Sequence, residues 1–191
     1  MKSERELWNA KFREGSHSSL EPDPFLVWAN EKFIAPAFPR PRRLIDVAGG
    51  VGRHAIYLAR KGWDVTVLDI SESGLKLAEQ RAAEERLMVT LVETDLDEFH
   101  LNKSSAQFDV VLVFFYLQRE LFPALERLLR PGGLLIYKTH LHSATNTRGP
   151  THPAHLLERG ELRNAFPMLE VLYFRESIDQ RSTVELVARK A

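Results

Sequence analysis

Leu44-Ile45-Asp46-Val47-Ala48-Gly49-Gly50-Val51-Gly52-Arg53-His54-Ala55 is the stretch whose reading decides the fold. An apolar run stops at a carboxylate, passes through Gly49, Gly50 and Gly52, and continues into residues that suit a helix. Without Cβ atoms the glycines let the backbone turn sharply and let a ligand lie against it, while the first N–H groups of the following helix face the same space. A strand, a glycine turn and a helix in that order build a cofactor site of the nucleotide-binding kind.

Two cofactor classes use such a turn. Gly50-Val51-Gly52-Arg53-His54-Ala55 fits the G-x-G-x-x-G/A fingerprint of dinucleotide-binding folds, with Asp69 near the spacing of a ribose-binding acid. Read from Asp46, the same stretch is acid-x-Ala-x-Gly-x-Gly and resembles the first motif of class I S-adenosylmethionine (SAM)-dependent methyltransferases, with Ala48 in the first glycine position. The acid favours the second reading. A pyrophosphate over the turn would be repelled by Asp46, whereas SAM has no phosphate and carries a sulfonium and an ammonium that a carboxylate attracts.

The 191 residues suffice for one domain with a full core: an N-terminal helical cap or lid over residues 1–41 and a cofactor-binding core over 42–191. Lys plus Arg and Asp plus Glu are equal at 26 each, so no overall field favours nucleic acid or an anionic membrane. The absence of cysteine removes disulfides, thiolate catalysis and Cys-ligated zinc. The charged first twenty residues and the shortness of the longest apolar run, Val110–Leu117, lead to the expectation of a soluble cytoplasmic protein. Asn102-Lys103-Ser104 has the form of a glycosylation sequon and is read as a chance match.

In chain order, residues 3–14 predict a short helix opened by a Ser3/Glu6 capping box, and a second helix starts at Pro24 and ends before the proline-rich connector Ala35–Pro41. Its aromatic residues suit packing at the domain edge or a lid over the cofactor mouth. A helix over Arg53–Lys61, a strand over Asp64–Asp69, a helix over Gly74–Leu87 capped by Ser71 and a strand over Met88–Glu93 follow. The most apolar strand is Phe108–Phe115, then come a helix over Leu121–Leu129, a Pro131-Gly132-Gly133 turn and a fifth strand over Leu134–Thr139. His140–Pro153 is a long loop; a last helix spans Arg159–Phe166, and Leu169–Glu176 and Ser182–Arg189 alternate as an antiparallel hairpin. The expected fold is α/β: a three-layer α/β/α sandwich, Rossmann-like, around a seven-stranded, mostly parallel sheet with an antiparallel last strand. Asp46, Asp69 and Asp95 each close a strand at the edge where open α/β sheets bind ligands.

From Leu44 to Ala191 the chain resembles a class I methyltransferase, and most nearly the small bacterial tellurite-resistance and thiopurine-type group. Asp46–Gly52 with Arg53-His54-Ala55, the Lys61–Val65 lead into Asp69, Thr94-Asp95-Leu96, Phe108–Tyr116 and Arg130-Pro131-Gly132-Gly133 carry the resemblance, and Trp8 and Phe12 repeat an aromatic spacing of that group. The resemblance implies that Asp46 holds the methionine ammonium above the backbone of Ala48, Gly49, Gly50 and Gly52, that Asp69 with Ile70 takes the ribose, that Asp95 and Leu96 take the adenine, and that the Phe114 backbone closes the methionine side. It also implies transfer of a methyl group to a small-molecule acceptor, with S-adenosylhomocysteine (SAH) as product. Tyr116 and His140 are the candidate catalytic residues, with Arg119 and His142 as further polar groups near the strand ends; no metal, nucleic-acid or membrane partner is expected, and the chain is a monomer or homodimer. A non-catalytic SAM-binding regulator and an NAD-type oxidoreductase are the alternatives.

Overall fold

The computed structural model describes residues 3–17, 19–96 and 107–191, so Ser18 and the Asn102-Lys103-Ser104 sequon lie outside the described residues. The chain divides into two compact units, residues 1–100 and 101–191.

The first unit opens with α1 (Glu4–Arg13), α2 (Pro24–Ala29), a π-helical turn over Asn30–Ile34 and α3 (Ala35–Ala37). Both parts of the expected capping box are present: the Ser3 hydroxyl accepts from the Glu6 N–H, and the Glu6 carboxylate accepts from the Ser3 N–H. Asp23 caps α2, with Pro24 in the first turn, where a missing N–H costs nothing. The proline-rich connector begins later than the sequence suggests, because helical turns run on through Ala37.

Next come β1 (Arg43–Val47), α4 (Arg53–Ala59), β2 (Asp64–Asp69), α5 (Glu72–Glu84) and β3 (Val89–Glu93). The strands pair in parallel in the order β3-β2-β1, Asp46 facing Val67 and Asp69 facing Glu93 in register. α5 starts two residues before the expected Gly74, since the Ser71 hydroxyl accepts from the Gly74 N–H and caps the turn ahead of it. Buried Leu44, Ile45, Val47, Ala55, Leu58, Val65, Val67 and Leu68 form the apolar floor under the glycine turn.

The second unit contains β4 (Phe108–Phe114), α6 (Phe122–Leu128), β5 (Leu129–His140), α7 (Glu161–Asn164), β6 (Leu169–Ser177) and β7 (Thr183–Lys190). β4 is buried along its whole length, as its unbroken apolar run predicts. Pro131-Gly132-Gly133 is not the expected turn but lies inside β5. Phe108 faces Leu129 and Val110 faces Leu134, so the intervening residues bulge out of register, with Gly132 at φ +78°. α7 is shorter than the expected Arg159–Phe166 helix, because Gly160 at φ +73° sets the start after it. β7 runs antiparallel to both of its neighbours, β5 and β6. The full strand order is β3-β2-β1-β4-β5-β7-β6, a seven-stranded sheet flanked by helices, so the last strand of the chain is inserted inside the sheet rather than added at its edge. Among the described residues no helix is long and apolar enough to cross a membrane.

Candidate cofactor and acceptor sites

In the first unit the glycine turn is held from below and from the side. The Gly49 N–H donates to the Leu68 carbonyl at 3.1 Å, the Gly50 N–H to the Asp69 carboxylate at 2.7 Å, and the Arg81 guanidinium to the Val51 carbonyl at 3.1 Å. Two positions need glycine. A Cβ on Gly49 would fall 2.8 Å from the Val67 side chain and 2.9 Å from the Asp46 carboxyl, and one on Gly52, itself at φ +70°, would fall 2.9 Å from the Ala78 Cβ. Ala48 also has a positive φ, +56°, so the departure from glycine there places a methyl in the left-handed region, a conformational strain and not only a loss of room.

Asp46 lies under this turn, fully buried, and neither carboxylate oxygen has a partner at hydrogen-bonding geometry. Burial, reinforced by the nearby Asp69 charge, pushes its pKa up to about 7, while the Arg53 charge and the Ala55 N–H pull the other way. The buried His54 ring presents Nδ1 at 4.0 Å from the Asp46 carboxylate. A buried carboxylate short of donors is rare and costly; one placed against a backbone cradle has a free valence for a cation.

Asp69 stands differently. Its two oxygens accept from the Gly50 N–H at 2.7 Å and the Ser71 N–H at 2.8 Å, so it fastens the glycine turn to the start of α5. Burial raises its pKa against those bonds and one from the Ile70 N–H. The Thr94 N–H donates to the Asp69 carbonyl at 2.9 Å, which ties the stretch carrying half-buried Asp95 and buried Leu96 to the end of β2. Asp46, Ala48, Gly49, Gly50, Gly52, Asp69 and Ile70 thus form one connected cradle. Sequence reasoning named His54 and Phe12 as parts of motifs but gave neither a contact, and it passed over Asn9: Phe12 packs where Cβ atoms on Gly50 and Gly74 would lie, at 3.0 and 2.9 Å, and the Asn9 side-chain amide oxygen accepts from the Ser71 hydroxyl and the Ser73 N–H.

In the second unit, Phe114 is the buried last residue of β4. Phe115 follows at φ +57°, unusual for an aromatic residue, with its N–H bonded to the Lys138 carbonyl at 2.7 Å. The Tyr116 hydroxyl donates to Gln118 at 2.6 Å, and its carbonyl accepts from the buried Tyr137 hydroxyl, whose pKa burial drives upward. Arg119 is engaged by Glu161 and the Leu156 carbonyl, and His142 lies exposed at 3.2 Å from Glu158. His140 differs from these groups. It is 8% exposed, its ring centroid lies 5.1 Å from that of Phe115, and burial, with the charges of Arg181 and His155, lowers its pKa to about 4. It is therefore a neutral imidazole at neutral pH, able to accept a hydrogen bond.

Residues 44–133 match the methyltransferase domain family. Over that segment the chain is similar to methyltransferase domains. YqeM of Bacillus subtilis, described as a methyltransferase, is 32% identical over 126 residues, which cover 61% of this chain and 49% of YqeM. The chain spans about half the length of the curated relatives it matches. Among solved structures, TehB from Haemophilus influenzae superposes with a TM-score of 0.74 at 17% identity, over 95% of this chain and 66% of that one. The magnesium protoporphyrin IX methyltransferase of Synechocystis PCC 6803, solved with bound SAH, superposes with a TM-score of 0.68 at 19% identity, over 87% of this chain and 81% of that one. These likenesses extend the methyltransferase fold beyond the matched segment to nearly the whole chain.

Proposed function

We propose that the protein is a SAM-dependent methyltransferase acting on a small-molecule acceptor. The observation that carries this reading is Asp46: a fully buried carboxylate with no partner at hydrogen-bonding geometry, against a glycine turn where a Cβ on Gly49 would strike its carboxyl at 2.9 Å. A cationic amino-acid moiety seated on that turn suits such a carboxylate, and a pyrophosphate does not. The residues present therefore fit SAM. In this reading Asp46 and the Ala48–Gly52 backbone would hold its methionine part, Asp69 and Ile70 its ribose, and Asp95 and Leu96 its adenine.

SAM supplies an electrophilic methyl group, so the protein needs to position and desolvate more than to activate. Asp46 balances cationic charge without offering a nucleophile that faces solvent. Asp69 keeps the turn in its binding shape by its bonds to Gly50 and Ser71. On the acceptor side, its neutral imidazole supports His140 as the group that takes a proton from a hydroxyl or amine, and the Tyr116 hydroxyl, committed to Gln118, is the weaker candidate.

Calorimetric titration with SAH at pH 8, beside NADH, tests the reading. Saturable SAH binding near micromolar, about −8 kcal/mol, without a response to NADH is the expected result, and Asp46→Asn weakens it about tenfold or more by removing the charge opposite the ammonium. Binding of NADH in place of SAH overturns the assignment.

A further inference from the structure

Beyond the glycine cradle, the most chemically loaded place in the chain is a cleft of the second unit. Arg148, Gly149, Asp179, Gln180 and Arg181 line a cavity of about 380 Å³. It is a constructed place rather than a gap between loose loops. The Thr147 and Arg148 N–H groups both donate to the Gln180 carbonyl at 2.9 Å, the Thr145 hydroxyl donates to the Asp179 carbonyl at 3.0 Å, and Asn146 bridges Leu141 and Ser182, donating to the carbonyl of one and accepting from the N–H of the other. The long loop after β5 is thereby stitched to the β6–β7 turn, and the two arginines are carried on the two sides of that seam.

The charges at the cleft do not cancel. The Arg181 guanidinium lies 4.9 Å from the centroid of the Phe115 ring, stacked on an aromatic face rather than on a carboxylate. Asp179 is turned to its own backbone, one oxygen accepting from the Arg181 N–H at 2.7 Å. Among the described residues no carboxylate pairs with the side chain of Arg148 or Arg181. Behind them sits the His140 ring, against which Gly149 packs so closely that a Cβ would fall 3.3 Å from Cε1, at a φ of +91° that itself favours glycine. Phe115, which touches both His140 and Arg181, is held at a positive φ. Strain in an aromatic residue, two guanidiniums without carboxylate partners and a buried imidazole in one cluster suit the recognition of an oxyanion, two of whose oxygens a guanidinium fork meets with two parallel hydrogen bonds.

We infer that the Arg148–Arg181 cleft is the recognition site for an oxyanion group, carboxylate or phosphate, of the methyl acceptor, with the His140–Phe115 pair as its inner wall. The inference rests on the methyltransferase reading for the word acceptor, and on the cleft alone for the oxyanion. It makes the acceptor an anionic small molecule rather than a neutral one. It also gives His140 a dependence on what is bound: the Arg181 charge is one cause of its lowered pKa, and an anion seated on Arg181 offsets that charge and raises the affinity of the ring for a proton.

The test uses the full chain with two probes, benzoate for a carboxylate and inorganic phosphate for the alternative, each followed by calorimetry and by the pH titration of the His140 Cε1–H resonance, assigned with His140→Gln. The expected result is saturable binding of at least one probe, with the His140 midpoint moved up by about half a unit or more. Arg181→Ala and Arg148→Ala each weaken that probe about tenfold or more, and Arg181→Lys recovers part of the loss, because charge is restored without the fork. Benzoate alone identifies the group as a carboxylate, and phosphate alone as a phosphate. SAH titration of the same samples keeps the two readings apart and reports that the variants are folded. SAH binding with no response to either probe, or probe binding indifferent to both arginines, overturns the inference and leaves the methyltransferase reading intact; probe binding without SAH binding does the reverse.

Discussion

Asp46 is ionised above neutral pH in a site that offers its oxygens no donor at hydrogen-bonding geometry, and this has a consequence for stability as well as for binding. In the unfolded chain the residue ionises near 3.8, and in the folded protein near 7. Below about pH 4 both states hold the proton; from there to about 7 only the folded state does, and above that neither does. Stability from this group is therefore present at low pH and lost as pH rises through the folded value, by about 4 kcal/mol over the whole window. Asp46→Asn keeps the shape and removes the titration. Urea unfolding of the variant and the parent at pH 5 and pH 8 should show the variant gaining about 2–3 kcal/mol on the parent between the two. A difference that does not change with pH would mean that the carboxylate is satisfied in solution by a rearrangement of the turn. The same residue ties stability to function, since a bound cation relieves the strain that the empty charge creates, so the variant that folds better at pH 8 is the one expected to bind SAH worse.

At the level of elements, α1 is the piece whose attachment can be changed most cleanly. Its contact with the cradle is concentrated in buried Phe12, seated over Gly50 and Gly74, and in Asn9, which accepts from Ser71 and Ser73; Leu7 on the same helix is 44% exposed. Phe12→Ala removes the apolar part of that contact, at a cost of about 3 kcal/mol, the low end for a buried Phe. Hydrogen exchange should then show the amides of α1 losing protection while those of β1 and β2 keep theirs; unchanged protection in α1 would mean that Asn9 and the Arg5–Glu93 ion pair suffice to hold it. Much of the placement of α1, α2 and α5 was legible in the sequence, because a capping box, a proline at a helix start and a hydroxyl cap at Ser71 act through residues a few positions apart. The strands and the glycine turn were legible for the same reason. Contacts made at long range were not. Nothing local tells that Phe12 rests on Gly50, that His54 faces Asp46, or that Pro131-Gly132-Gly133 is a bulge inside a strand, since the bulge is defined only by what Phe108 and Val110 pair with. Arg181 follows β6 at the hairpin turn and Gly149 lies in the long His140–Pro153 loop, and only the fold brings both near the His140 ring.

For the molecule as a whole, the position of β7 governs how the chain completes itself. A hairpin read from sequence suggests two strands added in order at an edge, yet the last strand lies between β5 and β6, pairing with β5 from Leu134↔Arg189 to His140↔Thr183 and with β6 from Leu169↔Lys190 to Ser177↔Thr183. Among the described residues β6 therefore joins the sheet only through β7. The final nine residues also carry buried Val184, Leu186, Val187 and Ala188, and the Lys190 ammonium donates to the carbonyls of Glu126 and Leu129. Ending the chain at Ser182 removes two strand interfaces at once, leaves β5 with an open edge and strands β6 without a partner, a state prone to pairing between copies. The loss of buried Val184, Leu186 and Val187, at about 1.5–3 kcal/mol each, is already comparable with the 5–15 kcal/mol by which a domain is normally stable, and the lost pairing of β5 and β6 adds to it. The truncated chain should show no cooperative thermal transition by circular dichroism and should aggregate on expression. A truncated chain that keeps a sharp transition would mean that β6 can close directly on β5, a register the side-chain alternation of Leu169–Ser177 would then have to support on both faces.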